Sequence, residues 1–530
     1  MIKKVKTYLI ANADKTISIL LYAAAFFHLA VMLVSTLNTS IWYDESASLL
    51  KMKFSYGEIA ELLANYDVHT PLYFFYLKTM IMALSWTSIS VITIGKFASV
   101  LPIIIMVIVA ATVIKKEYGS LCGALFALCI TAMPRMFTLG IELRMYTLAL
   151  LFVTLCFLFA AKTTKNPKNS NFICLTFFAT LSLYTHYFAG LMAVVIYVIL
   201  AVWFLKSDKK LLIKWLLSGI GVAVLFVPWI INLIKAVSNT HVYSWISKPS
   251  IMSIARFAIY PFHISGEDIA SILLIIVFAF VGLRFLLQKS TENDGHIATK
   301  YFAVSGVSLY ALVFAIGLFV SFVISPILTN KYLFPAIGCL WLGFCIALSG
   351  GKTIPTSNRK LTHNRSLIVI ICFLCIIGFS NTIIGGYEEY KSSKNHQVVN
   401  TEVISQIGEN DVIITDVINV LGVTSYLTPV QKAYIFPEWN RRDNEDGKLL
   451  INVLCENAEE LSEISDLLTI TEQYDKVWLL LTKAENIKKF QEFVAKNEIN
   501  VEKSGTILQE SININYILIE EKESIKSLNG

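Results

Sequence analysis

Five short segments of this 530-residue chain place ionisable side chains beside tyrosines or tryptophan at the ends of apolar runs. Carboxylates can take a proton from a hydroxyl group, and cationic side chains can hold an anion such as a phosphate. A combination of acid–base chemistry and anion binding is therefore the chemistry that these residue types could perform. The segments are residues 42–45 (WYDE), 69–73 (HTPLY), 142–146 (ELRMY), 184–187 (YTHY) and 330–335 (NKYLFP).

The acidic pair Asp44 and Glu45 directly follows the first apolar run. A carboxylate held at a membrane surface could deprotonate an acceptor hydroxyl, which makes this pair a candidate for a catalytic base. Two other interpretations stay open, a solvated loop acid and an acid that caps the helix that follows.

The cationic candidates are His69, Arg144 and the weaker Arg135. Pro71 suits the first turn of a helix, so His69 stands where a helix N-terminus could meet a phosphate. Arg144 could grip a phosphate with two parallel hydrogen bonds. The alternative for Arg144 is a structural ion pair with Glu142, since charged groups at the hydrocarbon boundary are costly unless paired or functional.

His186 and Lys331 extend the same pattern, because each is a titratable or cationic residue at the end of an apolar run. Their neighbours include Tyr146 and Tyr332, which could line the same site. An aromatic belt at the membrane surface would explain the tyrosines without any function. Each segment is a weak signal alone, and the prediction of a site depends on the five taken together.

Composition indicates the type of structure that must position these residues. The chain is 55% hydrophobic and 15% charged, with a mean hydropathy of +0.63. Apolar runs of this length predict membrane-spanning helices, which satisfy their own backbone hydrogen bonds in lipid. We therefore predict a mainly α-helical membrane bundle of about eleven transmembrane helices with interfacial helices. The predicted spans are 17–38, 97–114, 119–134, 144–161, 171–187, 189–205, 212–232, 270–287, 301–325, 332–349 and 366–384.

The distribution of lysine and arginine predicts the orientation of this bundle. If residues 71–86 form an interfacial helix rather than a span, the basic loops all fall on one side, which the positive-inside rule assigns to the cytoplasm. The N-terminus is then cytoplasmic, and the residues of the five chemical segments fall almost entirely in external segments. The first external loop is 39–96, and the catalytic membrane domain is predicted to cover 1–384.

Residues 385–530 form a separate region by charge, with 25 acidic and 14 basic residues against 13 and 30 upstream. Runs at 411–416, 432–436, 476–482 and 515–520 read as strands, and 457–469 and 484–497 as amphipathic helices. They predict an extracytoplasmic α/β domain. It carries no G-x-G-x-x-G fingerprint. The upstream basic excess is what cytoplasmic loops require, so we predict no nucleic-acid partner.

The order of the motifs WYDES, HTPLYFFYLK, ELRMYTLAL, LYTHYFAGL and NKYLFPAIG resembles the bacterial GT-C glycosyltransferases of the family 39 type. This group includes relatives of protein O-mannosyltransferases and of the aminoarabinose transferases that modify lipid A. The resemblance covers about residues 1–390. It implies a multi-pass cell-membrane enzyme that moves a sugar from a polyprenyl-phosphate donor to a lipid, cell-envelope glycan or protein, usually with inversion.

The resemblance also implies roles for individual residues. Asp44 and Glu45 match the family's Asp-Glu pair, with Asp44 as the catalytic base. The donor phosphate would be bound by residues of three motifs, with Thr70 in place of a proline and Lys331 in place of an arginine, whose fork a lysine lacks. These residues are His69, Arg144, Tyr146 and Lys331, with Glu142, His186, Tyr332 and Arg135 as further candidates.

The implied reaction requires no cofactor, because a polyprenyl phosphate leaves well once its charge is matched. A hard divalent cation on Asp44, Glu45 and His69 is an open alternative. Another class of protein, a transporter or flippase for lipid-linked sugars, also stays open. It would need charged or broken helices near the bilayer midplane, where this sequence places few ionisable residues.

Overall fold

The computed structural model describes residues 13–243, 246–264, 268–287, 294–350, 365–416, 432–435, 454, 458–474, 476–509 and 512–520. The chain divides into two compact units. The first unit comprises Met1–Thr36, His69–Met80 and Lys96–Gly386, and the second comprises Leu37–Val68, Ile81–Gly95 and Tyr387–Gly530.

Helices dominate the described chain up to residue 402. They are α1 Ala13–Ser35, α2 Tyr43–Leu50, α3 Tyr56–Tyr66, α4 Leu72–Leu84, α5 Val91–Val109, α6 Lys115–Tyr118, α7 Ser120–Ala132, α8 Met136–Ile141, α9 Tyr146–Lys165, α10 Asn169–Thr185, α11 Tyr187–Ser207, α12 Leu212–Tyr243, α13 Ile251–Ile259, α14 Asp268–Leu287, α15 Asp294–Val323, α16 Ile337–Ser349 and α17 Arg365–Glu402. A π-helical turn, Ala110–Ile114, joins α5 to α6, and a 3-10 turn, Asn330–Ala336, leads into α16.

Nine helices within the described residues are long and apolar enough to cross a membrane. Two predicted spans are shorter than expected. Within the predicted span 119–134, helix α7 has only 13 residues, which at 1.5 Å per residue reach about 20 Å and are too short for the hydrocarbon core. Helix α10 has 17 residues, the lower limit for a transmembrane helix. Because α7 is almost entirely buried, its uniform hydrophobicity reflects packing inside the bundle.

Close helix packing in the first unit depends on small residues. A Cβ atom on Gly306 of α15 would lie 2.5 Å from the Cys339 carbonyl oxygen, and one on Gly343 of α16 would overlap the Ala303 carbonyl oxygen. Larger residues would push α15 and α16 apart. Backbones that approach this closely gain van der Waals contact, which drives helix association in lipid. Helix α9, which follows the ELRMY motif, packs against α10, α11 and the turn Asn330–Ala336.

In the second unit, helices α2 and α3 begin with acids in their first turns. Helix α3 begins at a capping box. The Ser55 hydroxyl accepts a hydrogen bond from the Glu58 backbone N–H at 3.3 Å, and the Glu58 carboxylate accepts one from the Ser55 N–H at 2.7 Å. Both N–H groups would otherwise lack an intrahelical partner, so the box defines where the helix starts.

The C-terminal part of the second unit is a six-stranded sheet in the order β3-β2-β1-β4-β6-β5. Strands β1 to β4 are parallel, whereas β6 is antiparallel to β4 and to β5. The elements are β1 Val412–Thr415, β2 Lys432–Ile435, β3 Ala458–Glu460, α18 Asp466–Gln473, β4 Lys476–Leu481, α19 Ala484–Asn497, β5 Val501–Gln509 and β6 Ile512–Glu520.

Both faces of this sheet are buried. On β4, Val477 and Leu479 pack with residues of α18 and α19, whereas Trp478 packs on the other face with Val399 and Val403 near the end of α17. Burial on two faces explains the nearly continuous apolar runs of β1 and β4.

The mainly α-helical bundle with a C-terminal α/β region is confirmed. All four predicted strands are present, and the predicted helix 484–497 is α19. The prediction of one helix over 457–469 is wrong, because Ala458–Glu460 pairs with β2 as strand β3 and the helix starts only at Asp466. Helical periodicity over so short a segment cannot reveal a strand partner elsewhere in the chain.

Candidate active site

The centre of the candidate site in the first unit is a contact between His69 and Arg144. His69 lies just before α4, and Arg144 lies in the turn before α9. Arg144 is 5% exposed, and its Nη2 lies 3.0 Å from His69 Nε2. A guanidinium group only donates hydrogen bonds, so Nε2 accepts here and the imidazole proton resides on Nδ1. His69 therefore orients one edge of the Arg144 guanidinium.

Glu142 and Lys331 form an ion pair beside this contact. Lys331 Nζ lies 3.0 Å from Glu142 Oε1, with the two side chains 34% and 9% exposed. The same ammonium group lies 5.9 Å from the centre of the Tyr146 ring. The structure thus gives Glu142 a lysine partner from the turn before α16. The pairing of Glu142 with Arg144, which the sequence left open, stays a prediction.

His186 lies in the turn between α10 and α11 and caps α11. Its Nδ1 accepts a hydrogen bond from the Phe188 backbone N–H at 3.1 Å, so the neutral ring carries its proton on Nε2. Burial, with the nearby His69 and Arg144, lowers the pKa of His186 to about 3. The ring centre lies 4.9 Å from that of Tyr332. His186 is therefore a neutral N–H donor at physiological pH.

The first unit brings together residues that the sequence spreads over more than 260 positions. His186 links the His69–Arg144 contact to the Glu142–Lys331 pair. It is coupled electrostatically to His69 and Arg144, and its ring contacts those of Tyr146 and Tyr332. A guanidinium, an ammonium and an imidazole N–H in one place suit the binding of a phosphate. The residues gathered are His69, Glu142, Arg144, Tyr146, His186, Lys331 and Tyr332.

Arg135 has different surroundings. It adopts a left-handed backbone conformation, with φ of 72°, just before α8. Its guanidinium carbon lies 5.0 Å from the centre of the Tyr260 ring. Burial lowers the pKa of Arg135 and raises that of Tyr260. The cation–π contact gives Arg135 a structural partner, and its role as a site residue stays a prediction.

Asp44 and Glu45 belong to the second unit, in the first turn of α2. Glu45 is 4% exposed, and its Oε2 accepts a hydrogen bond from the Trp42 backbone N–H at 3.1 Å. This is the helix-capping role that the sequence left open for the pair. Asp44 is half-buried, and its backbone carbonyl accepts a bond from the Ser48 hydroxyl at 2.9 Å. The catalytic roles of Asp44 and Glu45 stay predictions.

Sequence reasoning missed a buried ion pair in the second unit. Lys51 Nζ lies 3.0 Å from Asp67 Oδ2, and the two side chains are only 2% and 6% exposed. Lys51 also donates to the Ala47 carbonyl of α2 at 3.2 Å. The pair ties the end of α2 to the residue that follows α3. Within the sequence, Lys51 is one of two lysines in a KMK run and has no distinguishing signal.

Two buried threonine hydroxyls were also missed as candidates. Thr70 follows His69 and is 1% exposed, and Thr147 follows Tyr146 and is 0% exposed. Neither hydroxyl oxygen has a hydrogen-bond partner among the described residues. Buried polar groups are normally satisfied, so both hydroxyls are candidates to bond a bound group. Thr70 replaces a proline of the motif that this segment resembles, and that departure was the available signal.

Two solved structures have this architecture over nearly the whole chain. ArnT from Cupriavidus metallidurans in the apo state is 10% identical, with 94% of this chain and 97% of that chain covered and a TM-score of 0.59. The same protein bound to undecaprenyl phosphate is 11% identical, with 96% and 98% covered and a TM-score of 0.61. This chain has the ArnT fold. The GT-C architecture implied by the motif resemblance is thereby confirmed, and the protein is a multi-pass membrane protein.

The likeness to ArnT is one of backbone structure. No protein-family model matches the sequence, and no curated protein matches it either. At 10–11% identity, the likeness shows the fold alone. The roles of individual residues in this ArnT-like chain therefore depend on their own geometry and on experiment.

The low pKa of His186 predicts a pH-dependent stability. An unfolded histidine has a pKa of about 6.5, so between pH 6.5 and 3 the unfolded chain binds more protons and acid destabilises the fold. At pH 5 this cost is about 2 kcal/mol. In His186→Asn, asparagine can still cap α11. We expect its thermal midpoint to fall less between pH 7.5 and pH 5 than that of wild type. Parallel falls would show that His186 does not control this response.

The Lys51–Asp67 pair predicts a large stability effect. Lys51→Met leaves the Asp67 carboxylate buried without its cation, and we expect a loss of roughly 3–5 kcal/mol. The double variant Lys51→Met/Asp67→Leu removes both charges and should regain most of it. Chemical denaturation of the purified full-length chain would measure both. The surface pair Lys488–Glu492 is the control, since the side chains are 78% and 68% exposed and Lys488→Met should cost little.

Proposed function

We propose that this protein is a membrane glycosyltransferase that moves a sugar from a polyprenyl-phosphate donor to an acceptor. The observation that supports this most strongly is its likeness, over nearly the whole chain, to ArnT bound to undecaprenyl phosphate. The cluster around Arg144 adds independent support, because it assembles cationic and N–H donor groups suited to a phosphate.

The proposed chemistry is a single displacement at the anomeric carbon. Asp44 takes the proton of the acceptor hydroxyl as the oxygen attacks, and the bond from the anomeric carbon to the phosphate oxygen breaks. The electron pair of that bond leaves with the polyprenyl phosphate. Arg144 and Lys331 stabilise its charge, and the N–H of neutral His186 is suited to do the same. One displacement inverts the anomeric configuration, and no metal is required by this scheme.

We further propose that the reaction occurs at the outer face of the cell membrane. The distribution of basic loops supports this orientation, with the N-terminus in the cytoplasm and the C-terminal domain outside it. The acceptor is a lipid, a cell-envelope glycan or a protein, and the transferred sugar is a hexose or a pentose.

The test uses the purified full-length chain in liposomes. A polyprenyl-phosphate donor with a radiolabelled sugar is supplied, and both sugar release and movement of intact donor between leaflets are measured. We expect time-dependent cleavage of the sugar–phosphate bond, and no cleavage of a water-soluble nucleotide sugar. Donor that crosses the bilayer intact, with no cleavage for hexose or pentose donors, would instead support a flippase.

A further inference from the structure

The second unit brings together two parts of the chain that lie far apart in sequence, the segment that carries Asp44 and the C-terminal domain. Leu37–Val68 and Tyr387–Gly530 both belong to this unit. Residues 36–42 connect α1 to α2 without forming a helix or strand, and Asp44 lies in the first turn of α2. The position of Asp44 therefore depends on the contacts that hold this connection.

The side chain of Asn38 bonds this connection at both of its polar ends, and it is 6% exposed. Its Oδ1 accepts a hydrogen bond from the Ser40 backbone N–H at 3.0 Å. Its Nδ2 donates to the Glu389 carboxylate at 2.8 Å, and it lies 3.3 Å from both the Glu389 carbonyl oxygen and Ser392 Oγ. A buried amide with its donor and acceptor both bonded is held in one orientation, which fixes the connection to α17. We call Asn38, Ser40, Glu389 and Ser392 the Asn38 clasp.

Helix α17, on the other side of the clasp, is anchored in the C-terminal domain. Glu389 and Ser392 are neighbours on one face of this helix, because they are three residues apart. Further along the same helix, Val399 and Val403 pack with Trp478 of β4. The Asn38 clasp therefore connects the start of α2 to a helix that is packed against the C-terminal sheet.

A second contact holds the other end of α2. Lys53 lies in the 3-10 turn Lys51–Lys53 that follows α2, and its Nζ donates a hydrogen bond to the Leu454 carbonyl oxygen at 3.0 Å. This contact joins residues 401 positions apart, and the bond between Asn38 and Glu389 joins residues 351 apart. The C-terminal domain thus contacts the chain before and after the short helix that carries Asp44.

We propose that Asn38 is a positioning residue for sugar transfer, through which the C-terminal domain holds Asp44 in its working position. This inference rests on the proposed function, because it requires Asp44 to be the base. Asn38 acts through the backbone, since the residues that it holds lead directly into the first turn of α2. A displacement of about 1 Å at a reacting group can cost roughly 10²-fold in rate, so loss of the clasp should lower kcat.

The first test reverses the donor and the acceptor of the clasp. Asn38→Asp keeps an oxygen acceptor for the Ser40 N–H but places a second carboxylate against Glu389. We expect kcat for sugar release from the polyprenyl-phosphate donor to fall roughly 10- to 100-fold, with an unchanged KM for the donor. In Asn38→Asp/Glu389→Gln, the glutamine amide supplies the lost donor, and most of kcat should return. The matched control is Asn497→Asp, the same change at an exposed residue of α19, which should leave both constants unchanged.

A second variant keeps the inference testable if Asn38→Asp folds poorly. Glu389→Ala/Ser392→Ala removes both side-chain acceptors of the clasp, and α17 should persist because alanine favours the helix. We again expect kcat to fall while the KM for the donor stays unchanged. Hydrogen–deuterium exchange in peptides that cover 40–50 should be faster in this variant and in Asn38→Asp, and close to the wild-type rate in Asn38→Asp/Glu389→Gln.

The outcomes distinguish the clasp from the transferase function. If wild type transfers sugar and both clasp-breaking variants keep the wild-type kcat, the inference is wrong. A folded Asn38→Asp/Glu389→Gln that recovers no activity, or exchange over 40–50 that stays at the wild-type rate in every variant, would also overturn it. Absence of transfer by wild type would instead overturn the proposed function, and the exchange rates would still decide whether the clasp holds the segment.

Discussion

Asp44→Asn is expected to reduce sugar transfer by roughly 10²- to 10⁴-fold, the range for loss of a general base. Asparagine has nearly the same shape as aspartate but cannot take a proton from the acceptor hydroxyl. The first turn of α2 should persist, because Glu45 accepts the hydrogen bond from the Trp42 N–H. The measurement is release of radiolabelled sugar from the polyprenyl-phosphate donor, with thermal unfolding as the check on folding.

Two further variants make this result interpretable. Glu58→Gln is the matched control, since Glu58 is an exposed acid in the first turn of the next helix and glutamine also suits a capping box. Its activity should equal that of wild type. Glu45→Gln tests the other member of the pair. If Glu45→Gln is inactive while Asp44→Asn is active, the role of base belongs to Glu45 and the assignment to Asp44 is wrong.

Arg144→Lys is expected to lower kcat by roughly 10²- to 10³-fold, the effect of removing one preorganised donor to a developing charge. Lysine keeps the positive charge, but it cannot contact His69 and a phosphate through separate edges of one planar group. Because the departing phosphate gains charge as the bond breaks, we expect kcat to fall more than KM rises. Steady-state kinetics with the purified protein would separate the two.

The control for this variant is Arg284→Lys, in the exposed last turn of α14. It makes the same chemical change away from the cluster and should leave both constants unchanged. His69→Ala adds a further comparison, because His69 orients the guanidinium at 3.0 Å. We expect a smaller loss for His69→Ala than for Arg144→Lys, and little added loss when the two are combined. Fully additive losses would show that the two side chains act independently.

The C-terminal domain shows which strands and helices can be predicted from local sequence patterns. The strands at 411–416 and 476–482 and the helix at 484–497 were predictable because each is a continuous apolar or amphipathic run. Strand β3 was not, because its three residues become a strand only through pairing with β2. The length of the apolar run at 119–134 also predicted a longer helix than α7. Uniform hydrophobicity predicts burial there, but it does not distinguish burial in lipid from burial in protein.

The sequence by itself determined the class of this protein and the residue types of its candidate site. Composition and runs of apolar residues require a helical membrane bundle, because unpaired backbone groups are not tolerated in lipid. Ionisable residues at the ends of those runs identified His69, Arg144, His186 and Lys331 as candidates. These inferences use only local information, namely which residues are adjacent or share one helical or extended segment.

Only the tertiary structure decided which of these residues meet and in which protonation state. The contact between His69 and Arg144 joins residues 75 positions apart, and that between Lys331 and Glu142 joins residues 189 apart. Such pairs form because helix packing offsets the entropy of ordering the intervening chain. Burial in the same cluster keeps His186 neutral. Desolvation is a property of the folded surroundings, so no local sequence pattern records it.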